Sequence, residues 1–334
     1  MPALHELRLG TRGSQLALWQ ANAVAARIAD TGGPPCRIVV VKTSGDDLQE
    51  APLSEIGGKR LFVKELEDAL LRRDVDLAVH SSKDLPAILP EGLTVAGVLP
   101  REDPLDAVVL PASKVHRTEG AGPGVRQSHS IEDLIARLGR SPVVGTGSVR
   151  RVAQLTRLMP HARFTAVRGN LDTRLRQLDA SGYDALVLAA AGLRRLGFAS
   201  RISFTLPSTV CVPAPGQGII AIEVRDDDEA VRRVVARFGD PPAGAALKAE
   251  RALVAALGGG CQIPIGALAS PIEPDEIELV AAVVSLDGSR ALRGQRRGPR
   301  SEAEAIGSRV AAQLLADGAD EILADARRAQ EAVE

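Results

Sequence analysis

The sequence predicts an α/β protein made of two doubly wound domains and a smaller C-terminal α+β domain. Three observations carry that expectation. Short apolar runs alternate with segments of helical spacing over the first hundred residues. The same alternation restarts near residue 143. Beyond residue 241 it gives way to two strand-like runs around Asp287-Gly288, with helices on either side. A chain of 334 residues has room for these units at about 100–200 residues each.

The elements follow in order. Residues 7–10 form a short strand, and Ser14 is placed to cap a helix running to about residue 28. The apolar run 37–41 is expected of a strand covered on both faces. Phe62, Leu66, Ala69 and Leu70 have helical spacing, and 75–79 is the next buried strand. This β-α-β-α-β order implies a largely parallel sheet. In the second unit, strands at 143–145, 163–167 and 185–189 alternate with helices at 150–159 and 171–178. Between the units, 111–131 is rich in Gly, Ser, His and Arg and reads as a surface loop. The apolar run 219–224 is expected to return to the first sheet, leaving two linkers as a hinge. A helix at 245–257, strands at 278–286 and 290–295 around the turn, and a helix at 302–316 make the third unit. The stretch after Asp320 is expected to be a solvated helix end. The domains are then 1–105 with 216–238, 106–215, and 239–334.

Composition narrows the function. Basic and acidic side chains number 41 and 42, which argues against a general polyanion binder. Aromatics are 2% of the chain, too few for a base-stacking platform. Nucleic acid is therefore not an expected partner. Cys36, Cys211 and Cys261 lie far apart with no Cys/His cluster, so no metal site is expected. A sparse, odd cysteine count fits a reducing cytosol. The N-terminal residues show no basic-then-apolar signal and the chain has no long apolar span, so a cytoplasmic protein without a membrane partner is expected. Only six of the basic residues are Lys, so Arg richness by itself marks no anion site.

Several motifs carry chemistry. Gly258-Gly259-Gly260-Cys261 puts a thiol after three glycines, where it is open to covalent chemistry or packs as a small apolar group. The turns Gly10-Thr11-Arg12-Gly13-Ser14 and Gly145-Thr146-Gly147-Ser148-Val149-Arg150-Arg151 rhyme. Each sets hydroxyls, backbone N–H groups and arginine at a helix N-terminus, suited to a carboxylate or phosphate. Ordinary helix capping is the other reading. In His80-Ser81-Ser82-Lys83-Asp84-Leu85-Pro86 the acid Asp84 ends a buried strand. At ~4 Å and an effective dielectric of ~20, a carboxylate attracts a developing cation by ~4 kcal/mol, about three decades in rate. Pairing with Lys83 or an Asx turn is the structural alternative. His80 reads more readily as a satisfied buried histidine than as a base. Arg168 ends a strand, Arg174 opposes the dipole of the next helix, and Arg195 follows another buried strand.

These motifs closely resemble the hydroxymethylbilane synthase, or porphobilinogen deaminase, family. The resemblance runs from Leu9 to Gly266. It includes Thr11-Arg12 with Ser14 and Leu16-Ala17-Leu18-Trp19-Gln20, Gly57-Gly58-Lys59 with Leu61-Phe62, and the Asp84 motif. It continues through Arg101-Glu102-Asp103-Pro104, Arg168-Gly169-Asn170, Gly216-Gln217-Gly218 and the Cys261 loop. The resemblance implies a dipyrromethane cofactor held through a thioether to Cys261. It implies stepwise deaminative condensation of four porphobilinogen molecules onto that dipyrrole, then hydrolytic release of the linear tetrapyrrole. Asp84 matches the catalytic carboxylate. Arg12, Ser14, Lys59, Lys83, Thr146, Ser148, Arg150, Arg151, Arg168, Arg174, Arg195 and Gln217 match substrate- or cofactor-binding positions. Arginine suits the acetate and propionate groups because its fork binds both oxygens and stays charged. The family's fold implies two periplasmic-binding-protein-like domains, a monomer, and a product passed to a downstream tetrapyrrole cyclising enzyme.

The chain departs from the family pattern at Glu55, Arg60, Gly147 and Pro215, and its 111–131 loop is longer than typical. Arg60 is expected to replace the positive charge lost at Glu55; equal turnover in Arg60→Gly would count against this. Two other classes compete. A non-enzymatic two-domain anion-binding protein of periplasmic-receptor type leaves Cys261 and the third domain without a role. A cysteine acyl transferase needs a histidine base that the sequence does not identify.

Overall fold

The computed structural model describes residues 5–43, 63–114, 130–180, 182–259 and 263–331. Cys261, Lys59, Phe62, Glu55, Arg60 and most of the 111–131 loop lie outside those residues.

The first sheet has the order β2-β1-β3-β10-β4, from strands Leu7–Thr11 (β1), Cys36–Val40 (β2), Leu77–Ser81 (β3), Leu93–Val98 (β4) and Ile220–Arg225 (β10). The second has the order β7-β6-β8-β5-β9, from Asp106–Val109 (β5), Val143–Gly145 (β6), Arg163–Thr165 (β7), Ala185–Ala189 (β8) and Phe204–Leu206 (β9). The two sheets repeat one plan. Three strands run parallel at one side, and a strand inserted between the third and the edge runs antiparallel to both neighbours. The sheets are thus mixed where the helix-strand alternation implied a largely parallel arrangement. In each, the reversed strand is one that crosses between lobes: β5 enters the second lobe and β10 returns to the first, as the run 219–224 suggested.

The apolar run expected to be covered on both faces is instead the edge strand β2, and Val40 is half exposed. Its β-branched residues suit an edge of a pleated sheet as well as its centre, so the run alone could not separate the two.

The third unit is an antiparallel sheet of Ile265–Ile272 (β11), Glu276–Val284 (β12) and Ala291–Pro299 (β13). Helices Pro241–Ala256 and Ala303–Ala316 share one core with it. The stretch after Asp320 is not a solvated end. It forms the helix Ala319–Glu331, whose Ala319, Ile322, Leu323 and Ala326 are buried. Their spacing of three, one and three makes an apolar stripe that the surrounding charges conceal in a composition reading.

One carboxylate ties the three units together. Glu250, fully buried on helix Pro241–Ala256, accepts from Arg101 Nη1 at 2.6 Å, from the Gly216 N–H at 2.5 Å and from the Ala269 N–H at 2.7 Å. Arg101 also donates from Nε to the Gln217 carbonyl at 2.9 Å. Both linkers and the third sheet therefore meet at one charge-assisted network. The linkers touch directly as well: the Glu102 N–H donates to Gly218 O at 3.1 Å. Gly218 has φ +86°, and a Cβ there would collide with the Glu102 carbonyl, so only glycine fits.

Candidate active site

Asp84 is delivered to the space between the lobes by a short 3-10 turn, Ser82–Asp84, at the carboxyl end of β3. Pro86 follows and Leu85 is extended, as a pre-proline residue prefers. The turn is held from three sides. The Ser82 N–H donates to Ile219 O at 2.9 Å. Gln20, buried on helix Gln15–Asp30 (α1), donates from Nε2 to Ser81 Oγ at 2.8 Å. Gly216, at φ +73°, packs so close that a Cβ would stand 2.7 Å from Ser82 Oγ. Among the described residues, none donates a hydrogen bond to the Asp84 carboxylate itself.

The first anion turn lies beside it. Ser14 caps α1 by accepting from the Ala17 N–H at 3.3 Å, and Thr11 donates to Ala17 O at 3.2 Å. Capping occupies an oxygen lone pair of Ser14 and leaves its proton to donate. Arg12 and Lys83 are half-buried in this wall. In the second turn Ser148 stands at the cap position of helix Val149–Leu158 without making a capping bond. Instead its N–H donates to Thr146 Oγ1 at 3.3 Å. The two rhyming turns thus differ: one hydroxyl serves the helix and the other does not.

Arg150 and Arg151 open the same helix but turn inward, onto Asp106. Arg150 Nη1 donates to Asp106 Oδ2 at 2.7 Å and to Val212 O at 2.7 Å. Arg151 donates to Asp106 Oδ1 from Nε at 3.0 Å and from Nη2 at 2.7 Å, and to Val187 O at 2.8 Å. Gln217 donates to Asp106 Oδ1 at 2.9 Å and to Pro104 O at 2.7 Å. Burial would raise the Asp106 carboxyl, but the two guanidinium groups overcome it and hold it well below the usual carboxylate range. Cys211 lies in the same cluster, and burial pushes its thiol up to about 12, so it stays protonated and unreactive at neutral pH.

Arg174 is different. It sits in helix Leu171–Asp179 and donates from Nε to Gly169 O at 2.8 Å. Burial pushes its guanidinium below the usual arginine range and the like charge of Arg151 adds to this, while the Asp84 carboxylate opposes it. Arg174 of the second lobe therefore lies within the electrostatic reach of Asp84 of the first. A desolvated guanidinium with so little counter-charge is suited to an incoming carboxylate. Arg168 is half-buried on the loop that precedes this helix. Arg195 crosses to the first lobe, donating from Nη2 to Gly218 O at 2.7 Å and lying 5.7 Å from the Trp19 ring centre. Burial holds it down to about 10, with Glu102 opposing.

The structure thus brings Arg12, Ser14, Lys83 and Asp84 to one wall and Thr146, Ser148, Arg168 and Arg174 to the other. Arg150, Arg151 and Gln217 are committed to a buried hub, and Lys59 and Cys261 lie outside the described residues. Asp106 and Glu250 are among the polar residues that motif reading missed. Glu250 left a signal, because it is the acid among the buried positions Ala246, Ala249 and Leu253 of its helix.

Residues 7–233 match the model of the porphobilinogen deaminase, dipyromethane cofactor binding domain, and residues 245–316 match that of the porphobilinogen deaminase C-terminal domain. The chain is 42% identical over 324 residues to porphobilinogen deaminase of Geotalea uraniireducens, covering 97% of this chain and 95% of that one. It is 44% identical to the porphobilinogen deaminase of Syntrophobacter fumaroxidans, covering 97% and 98% of the two chains. Among solved structures, immunogenic lipoprotein A from Vibrio vulnificus is similar at a TM-score of 0.41 and 12% identity, over 73% of this chain and 99% of that one. Two domain models in sequence order, and relatives of this identity over nearly full length, show that the chain belongs to the porphobilinogen deaminase family of transferases, whose N-terminal part binds a dipyrromethane cofactor.

Proposed function

We propose that this chain performs the family's hydroxymethylbilane synthase reaction with Asp84 as its catalytic carboxylate and Cys261 as the point of cofactor attachment. The reaction joins four porphobilinogen molecules, each losing ammonia, and water then releases the linear tetrapyrrole. The observation that carries the assignment of roles is the placement of Asp84 on its 3-10 turn at the carboxyl end of β3, with no hydrogen bond donated to its carboxylate by a described residue. Loss of ammonia breaks a carbon–nitrogen bond and leaves a cation on the substrate pyrrole. Asp84, with no hydrogen bond donated to it by a described residue, keeps its lone pairs for that cation and its pyrrole N–H.

The donor set fits the cofactor. Guanidinium and ammonium groups of Arg12, Lys83, Arg168 and Arg174, with the hydroxyls of Ser14, Thr146 and Ser148, suit a ligand bearing several carboxylates. When bound, the dipyrromethane supplies the free pyrrole carbon onto which each unit is added. Arg174 and Arg168 orient carboxylates on one side of the reacting centre, and Arg12 and Lys83 do so on the other. Arg150, Arg151 and Gln217 support the second wall through Asp106. Arg195 is assigned to the same binding surface, and Lys59, outside the described residues, is proposed as a further carboxylate-binding cation.

The three sheets are read as three domains, 1–105 with 216–238, 106–215, and 239–334. The chain is further proposed to act as a cytoplasmic monomer that passes its product to a tetrapyrrole cyclising enzyme. No helix among the described residues is long and apolar enough to cross a membrane. The anion-receptor alternative is not favoured, since it gives no role to the C-terminal domain that the family model matches. Intact-mass measurement tests the attachment: a covalent dipyrrole is expected on the purified protein and absent from Cys261→Ser. Unmodified wild-type protein that still makes the tetrapyrrole would contradict it.

A further inference from the structure

Behind the Asp84 turn lies a pair of ionisable groups that the proposed chemistry does not use. His80 of β3 is paired with Ala221 of β10, and Glu223 of β10 with Ala78. The two side chains therefore share one face of the sheet, offset diagonally by two residues. His80 Nε2 stands 3.0 Å from a carboxylate oxygen of Glu223, and the Glu223 side chain is wholly buried. Neither Glu223 oxygen takes a well-aligned hydrogen bond from a described residue. A carboxylate so enclosed depends on charges beside it. The charge that acts on it is that of Arg251, on helix Pro241–Ala256, which the Glu223 carboxylate favours against the effect of burial. Arg251 also donates from Nη2 to Ala87 O at 2.9 Å.

These contacts bracket the catalytic turn. His80 lies four residues before Asp84 and Ala87 three residues after it. One buried carboxylate thus stands against the side chain at the entry and acts electrostatically on the side chain that anchors the exit. We infer that Glu223 is a positioning residue: through His80 and Arg251 it fixes both ends of the 80–87 segment and so sets where the Asp84 carboxylate meets the substrate. The inference rests on the role of Asp84 given above. Glu223 itself touches no reacting atom.

Steady-state kinetics of cofactor-loaded Glu223→Gln, alone and combined with Asp84→Asn, test it. A displacement of about 1 Å at a reacting group costs on the order of 100-fold in rate. Glu223→Gln is therefore expected to lower kcat roughly 10- to 100-fold while KM stays within about twofold and the cofactor mass is retained. In the Asp84→Asn background it should lower the residual rate no further, because its effect runs through Asp84. Wild-type kcat in folded Glu223→Gln, or a fully multiplicative loss in the double variant, overturns the inference while leaving the role of Asp84 intact. Wild-type turnover in Asp84→Asn alone removes both. Where Glu223→Gln does not fold, Arg251→Met leaves the strand pair in place and releases Ala87. A lower kcat at unchanged KM is expected there, and wild-type kcat overturns the inference.

Discussion

Asp106 and Asp84 both stand where chain passes along the interlobe opening, yet their surroundings use them differently. Asp106 is fully buried and accepts from Arg150, Arg151 and Gln217. Asp84 is half-buried, and no described residue donates a hydrogen bond to its carboxylate. A carboxylate saturated in the free protein has nothing left for a transition state. One that is held in place by its backbone and otherwise uncommitted can act on charge that develops later. The same contrast separates the arginines: Arg150 and Arg151 already have their anion, and Arg174 lacks a hydrogen-bonded one among the described residues.

The largest effect on stability should come from the saturated member. Asp106→Asn leaves two buried guanidinium groups facing a neutral amide and should cost about 3–5 kcal/mol in urea unfolding. Asp84→Asn should stay within about 0.5 kcal/mol of wild type, since no described residue donates a hydrogen bond to its carboxylate. Reversal of that order would break the comparison.

Acid titration sharpens it. The Asp106 carboxyl is held below its usual range in the folded protein. Its contribution is therefore complete above the unfolded value of about 4 and is lost as pH falls through the lower folded value. The stability gap between wild type and Asp106→Asn should narrow as pH is lowered from about 4 toward 2. A gap that stays constant over that range would show that packing, not charge, sets the cost.

A smaller effect is expected at the interlobe contact of Arg195. Arg195→Lys retains a cation but loses the fork that reaches Gly218 O beside Trp19. About 0.5–1 kcal/mol of stability should go with it, read from the unfolding midpoint. No change would mean that Arg195 is held for a ligand alone.

Much of this was legible in the chain. The helix-strand alternation, the return strand after Gly218 and the Asp287-Gly288 hairpin follow from periodicity and turn chemistry. Ser14 was readable as a cap because its partner is three residues away. Asp106 was not, because its arginines lie 44 and 45 residues further on. Two adjacent arginines at a helix start look alike whether they await an anion or already hold one. The exposed edge of β2 and the buried stripe of helix Ala319–Glu331 were hidden for a related reason: which neighbour covers a strand or helix is decided by the fold, not by its own residues.

The most direct test is a single-turnover measurement of ammonia release by cofactor-loaded Asp84→Asn. The expected result is a rate about 1000-fold below wild type, from the loss of ~4 kcal/mol of attraction to the developing cation, with cofactor mass and unfolding midpoint unchanged. Release at the wild-type rate would contradict the assignment of Asp84 as the working carboxylate.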